Sequence, residues 1–147
     1  MNTDPKDILN GARTAQRRID RRRAELLRLR EMESFLRATD YAAPVVKHSA
    51  GRGSVESTAM KFAALEERIQ RDVEDLAERK LEAIALIGLL EDQRMQEVLW
   101  EYYIHAARNW DEAAEACGYT VRHCTRLHGR ALQELRKMSL NVHIDQE

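Results

Sequence analysis

Apolar residues recur at intervals of three and four along most of the chain, the spacing of one face of a helix. In a first stretch Ile8, Ala12, Ala15, Ile19, Leu26, Leu29 and Leu36 form a narrow seam, interrupted by Arg22 and Glu33. Asp4 and Pro5 offer a cap and a proline for the first helical position, so the helix is expected to begin there. In a second stretch Phe62, Leu65, Ile69, Val73, Leu76, Ile84, Ile87 and Leu90 predict a helix from about Ser57 to Leu90. Its outer face carries Glu66, Glu67, Arg71, Glu74, Asp75, Glu78, Arg79 and Lys80. A third helix is expected over about Arg94 to Ala107, capped by Asp92. Met95, Val98, Leu99, Tyr102, Tyr103 and Ala106 face inward on it, and Trp100 lies off that stripe.

Between the first two stretches the periodicity stops. Thr39 to Ser57 contains Pro44, Gly51, Gly53 and several Ser, which reads as a linker. The alternative is that Tyr41, Val45 and Val46 dock on a neighbouring helix; His48 has no local partner and no assigned role. Two long amphipathic helices joined in this way can fold back as an antiparallel hairpin. Each seam can instead pair with its copy in another chain, and a seam this narrow buries little by itself, so a homodimer through the long helices is expected. The fold class expected is all-α: a long N-terminal helical hairpin or coiled coil over 1–91, a helix-turn-helix over 92–140, and a tail over 141–147.

The segment Asn109 to Met138 is the most informative. Asp111 to Cys117 is dense in Ala and Glu, and Ala113, Ala114 and Cys117 can face inward at helical spacing. Gly118 can end that helix in the left-handed conformation, Tyr119 offers an apolar plug, and Thr120 is a good N-cap for the next helix. That next helix has an inner stripe of Cys124, Leu127, Ala131, Leu132, Leu135 and Met138. Arg122, His123, Thr125, Arg126, Arg130 and Lys137 lie mostly off it. Short helix, tight turn and basic helix is the pattern of a module that sets its second helix in the major groove of DNA. Residues near the start of such a helix reach base edges, and later basic residues meet phosphate. Thr120, Val121, Arg122, His123, Thr125, Arg126 and Arg130 are the candidate DNA-binding residues. Within them Val121, Arg122, Thr125 and Arg126 form the reading head, since Arg pairs with guanine and Val or Thr touches a thymine methyl group.

The run VLWEYYIHAARNWDEAAEACGYTVRHCTRLHGRALQEL resembles region 4 of sigma-70-type factors. It is most similar to small phage-encoded proteins that join a long helical part to such a module, including late-gene transcription regulators of the ArpU and RinA type. Val98, Leu99, Tyr103, Trp110, Ala114, Gly118, Thr120, Arg130, Ala131, Leu132 and Leu135 carry the resemblance, which covers about the last third of the chain. It implies that Val121, Arg122, Thr125 and Arg126 match positions that read the promoter −35 element, that RNA polymerase is a further partner, and that the chain is of phage or prophage origin. Ala113 stands where that region has a bulky aliphatic residue, so the helix packing there is expected to differ. No stretch matches sigma region 2, so a complete sigma factor is not expected.

Composition adds distribution rather than total. Charged residues are 33% and aromatics 5%, which favours exposed helices over a sheet, and the net charge is −1. Residues 1–38 carry +4, residues 58–119 carry −7, and residues 120–138 carry +4. A positive helix beside an acidic support would orient the module on a polyanion. The cluster Arg17, Arg18, Arg21, Arg22 and Arg23 is interleaved with acids and reads as a solvated face whose stems cover apolar surface. Tyr102, Tyr103, Trp110 and Tyr119 read as core packing.

Other chemistry finds little footing. With the polar start MNTDPKDIL no signal peptide is expected, no apolar run approaches a membrane span, and two Cys read as reduced thiols, so a cytoplasmic protein is expected, and the resemblance implies a bacterial host cell. Cys117, His123, Cys124 and His128 are close in sequence, but Cys124 lies on the inner stripe and no CxxC pair exists, so no metal or cofactor is expected. No phosphate-cradling glycine loop, HExxH or nucleophile elbow is present, and no catalysis is expected. The function expected is sequence-specific transcription regulation through double-stranded DNA. The alternatives are a DNA-packaging protein of small-terminase type, which a ring of many subunits would favour, and a helical scaffold that binds protein.

Overall fold

The computed structural model describes the backbone of residues 4–42 and 50–144 and the side chains of residues 4–38 and 56–139. Among them every regular element is helical: α1 (Pro5–Ala42), α2 (Ala50–Ile87), α3 (Gln93–Leu99), a π-helical turn (Trp100–Ile104), α4 (Trp110–Cys117) and α5 (Val121–Ile144). α1 and α2 are each longer than the periodicity predicts. Residues 39–42 and 50–57, expected in a linker, are helical, because glycines at positions 51 and 53 cost a helix only about 1 kcal/mol each and do not forbid it. Residues 43–49, with the suggested docking of Val45 and Val46 and the unassigned His48, lie outside the described residues, as does the side chain of Tyr41. The stretch 141–144, expected as tail, continues α5.

The chain divides into two compact units. One unit comprises residues 1–17 and 75–147, the other residues 18–74. The reason is a single apolar cluster in the first unit. Leu9 and Ala12 of α1 and Ala83 and Ile87 of α2 are buried together with Leu90, Met95, Val98, Leu99, Tyr103, Ala113, Ala114, Cys124, Leu127, Ala131 and Leu135. The start of α1 and the end of α2 are thus walls of the C-terminal module. Leu9, not Ile8, takes the fully buried position on the first turns of α1. Arg13, one turn on, donates to the carbonyl oxygens of Tyr102 (2.7 Å) and Ala107 (2.6 Å), and its guanidinium lies 3.9 Å over the Tyr102 ring. Asp4 accepts from Arg136 on α5 (3.1 and 3.3 Å), which holds its carboxyl below the usual range.

The second unit is an antiparallel pair of helical segments. Arg22 pairs with Asp72 and Arg30 with Glu66, an order that runs oppositely along the two helices. Ile19 and Ile69 are buried, while Leu26, Phe62, Leu65 and Val73 are half-buried. The seam fades further along α1: Leu29 and Leu36, expected on it, are exposed. Arg22, which interrupts the apolar pattern, does so as half of an ion pair. No described helix is long and apolar enough to cross a membrane.

Candidate nucleic-acid interface

α4 and α5 are built from local signals. Asn109 caps α4, its side chain accepting from the Glu112 amide at 2.9 Å. Asp111 and Glu112 stand in the first turn, where negative charge meets the positive end of the helix dipole. Gly118 ends α4 at φ 75°, in the left-handed region that a Cβ disfavours. The Tyr119 amide then reaches back to the Ala114 carbonyl at 2.9 Å. Thr120 caps α5 through its hydroxyl, which accepts from the His123 amide at 3.1 Å. Three residues, Gly118 to Thr120, therefore make the whole connection.

The inner face of α5 is as expected: Cys124, Leu127, Ala131, Leu132 and Leu135 are buried and Met138 is half-buried. Ala113 and Ala114 of α4 are buried in the same cluster, and Cys117 is half-buried. With no bulky side chain at position 113, the middle of α4 meets the cluster through the methyl groups of Ala113 and Ala114, and its two ends add Trp110 and Cys117. Burial pushes the Cys117 thiol up to about 11 and raises that of Cys124, so both remain protonated and poorly nucleophilic.

The other face of α5 holds the candidate residues. Thr120, Val121, Arg122, Thr125, Arg126 and Arg130 are exposed, and His123 is half-buried with its ring edge-on to Tyr119 at 5.0 Å. The guanidinium groups of Arg122, Arg126 and Arg130 make no hydrogen bond or ion pair among the described residues, whereas that of Arg136 on the same helix is paired with Asp4. Rise per residue puts Arg122 and Arg130 about 12 Å apart along the axis, the width of a major groove. The Thr125 hydroxyl faces the carbonyl oxygens of Val121 (3.0 Å) and Arg122 (3.1 Å), so its hydrogen is taken by the backbone. What it offers outward is a methyl group and lone pairs. Beside it Val121 is 39% exposed and adds a second apolar surface one turn away.

Behind this face lies an aromatic knot. Tyr102 stacks on Trp110 with centroids 3.8 Å apart and planes 2° off parallel. His128 packs against Trp110 (4.6 Å), Tyr103 (5.6 Å) and Tyr102 (6.0 Å). Burial, then the nearby charges of Lys6 and Arg136, lower His128 to about 4, and burial raises Tyr103 to about 12. With imidazole neutral and phenol protonated, Tyr103 Oη and His128 Nε2 share a hydrogen bond at 2.6 Å. His128, weighed from the sequence only beside Cys117, His123 and Cys124, finds its partners 18 to 26 positions earlier in the chain, beyond the reach of local pattern. The expected third helix is likewise altered: α3 ends at Leu99, widens into the π-helical turn, and finishes with Ala106 at φ 53°. Trp100, half-buried, donates from Nε1 to His105 Nε2 (3.1 Å), and His105 Nδ1–H donates to Glu101 (3.0 Å).

No protein-family model, curated protein or solved structure matches the chain. Among the described residues, no group of three or more His, Cys, Asp or Glu is placed to hold a metal ion.

Proposed function

We propose that the chain is a sequence-specific DNA-binding transcription regulator in which α5 enters the major groove and α4 braces it. The observation that carries this reading is the trio Arg122, Arg126 and Arg130: exposed, unpaired among the described residues, and on the face of α5 opposite its buried stripe. Unpaired guanidinium groups on a rigid helix suit both bidentate contact with guanine and phosphate binding. Thr125 and Val121 supply methyl contacts to thymine, and Arg130 meets phosphate. By its resemblance to sigma region 4, the module is proposed to act at promoters of phage or prophage genes and to contact RNA polymerase. Homodimerisation through the long helices would suit a palindromic or repeated site.

The test is selection of bound duplexes from a random-sequence pool, followed by gel shifts. Arg122→Ala and Arg126→Ala are expected each to cost about 1–3 kcal/mol of discrimination on the selected duplex. Changes at Arg17 or Arg18 are expected to leave preference intact. Affinity is expected to fall steeply with salt. Unchanged preference in both α5 variants would rule the reading out.

A further inference from the structure

Gly129 sits in the middle of α5, exposed, with ordinary helical backbone. A Cβ built there meets nothing within 4 Å. Gly118 has a conformational reason to be glycine; Gly129 has none within the chain. α5 runs unbroken from Val121 to Ile144, so the residue neither ends nor divides it. A glycine in a helix interior lowers stability relative to almost any other residue except proline. Glycine also serves where a backbone must come close to another surface. Helical spacing sets Gly129 on the same outward ridge as Arg122, Thr125, Arg126 and Gln133. That ridge is cationic and carries no acidic residue, so a polyanion fits it by charge.

We propose that Gly129 is the point of closest approach between α5 and duplex DNA, where the helix backbone passes one sugar–phosphate strand at the edge of the groove. Gly129 lies about 10 Å along the axis from Arg122, so a helix entering by its N-terminal end meets the flanking strand there. Arg130, next in sequence, reaches phosphate from the same place. The inference rests on the DNA-binding reading and adds a contact made by the absence of a side chain.

The two properties of the position are expected to move in opposite directions. In the full chain, Gly129→Ala should raise Tm by roughly 2–6 °C, and Gly129→Gln by less. On a duplex that the wild-type chain selects from a random-sequence pool, affinity measured by fluorescence anisotropy should fall about threefold for Ala and about tenfold or more for Gln. A Gly129→Gln protein that is folded and binds within about twofold of wild type overturns the inference while leaving DNA binding in place. If the wild-type chain enriches no duplex, the proposed function and this contact fall together. Because both substitutions favour the helix, lost binding is not explained by unfolding, which the Tm measurement checks directly.

Discussion

Arginine plays different parts in the two compact units. Along the pair of helical segments in residues 18–74, guanidinium groups meet carboxylates: Arg22 with Asp72, Arg30 with Glu66, Arg37 with Glu33. In the other unit Arg13 is tied to two carbonyl oxygens and Arg136 to Asp4, but Arg122, Arg126 and Arg130 point outward without partners among the described residues. The segments 1–38 and 120–138 each carry a surplus of +4, so net charge does not separate them. What separates them is that Arg22 and Arg30 of the first have carboxylates on the facing helix, while Arg122, Arg126 and Arg130 have none among the described residues. The cores differ in the same sense. The first unit closes over Tyr103, Leu99, Leu127 and Leu135, while the second leaves Leu27, Met32, Leu36 and Met60 at the surface. A well-packed support presenting unpaired charge is suited to recognition; a thin seam laced by ion pairs is suited to holding two helices together.

The contrast in packing should show the largest effect. Leu99→Ala empties a fully buried position and is expected to cost about 2–5 kcal/mol in chemical denaturation. Leu27→Ala removes a side chain that is 60% exposed and should stay within about 0.5 kcal/mol of wild type. Equal losses at both positions would mean that the second unit is as tightly packed as the first.

Arg13 sharpens the comparison, since it is an arginine used for structure inside the first unit. Arg13→Gln loses two short hydrogen bonds to backbone oxygens and the contact with the Tyr102 ring. A loss of about 1–3 kcal/mol is expected, with the selected duplex bound normally once the protein is folded. A wild-type melting temperature in this variant would remove Arg13 from the support.

His128 gives the first unit its own pH dependence. Its folded-state pKa, about 4, lies below the ordinary value of 6.5, so the unfolded chain takes up the proton first as pH falls. Its contribution is complete above about pH 6.5 and is lost as pH falls toward 4. His128→Phe should flatten that part of the stability profile measured by urea denaturation, and an unaltered slope would show that other groups produce it. The smallest effect belongs to the second unit. Asp72→Asn, which removes the charge opposite Arg22, should change stability by about 1 kcal/mol or less, because both groups keep partial access to water.

Much of α4 and α5 could be read from residues close together in sequence. Gly118 and Thr120 act on the backbone within four positions of themselves, and the inner stripe of α5 repeats within one helix. The outward position of Arg122 and Arg126 follows from the same periodicity. The cap at Asn109 is equally local, its side-chain oxygen meeting the Glu112 amide three residues on, but the sequence pattern did not single it out. The attachment of α1 to the module was not. Arg13 meets carbonyls 89 and 94 positions later, and Asp4 meets Arg136 across 132 positions. An apolar stripe states that a face is to be buried and is silent on what buries it. Leu9 and Ala12 have the same spacing whether they face α2 alone, a second chain, or the aromatic cluster they enter.

Amino-acid order alone determined that this chain is helical and where the turn before α5 falls, because caps, glycine conformation and hydrophobic period act over a few residues. Three-dimensional packing decided which arginines are neutralised, that His128 is held neutral beneath Tyr103, and that the two ends of the long helices wall the module. Those outcomes depend on distance between groups far apart in the chain, and both the Coulomb term and the desolvation of a buried group are set by that distance and not by sequence separation.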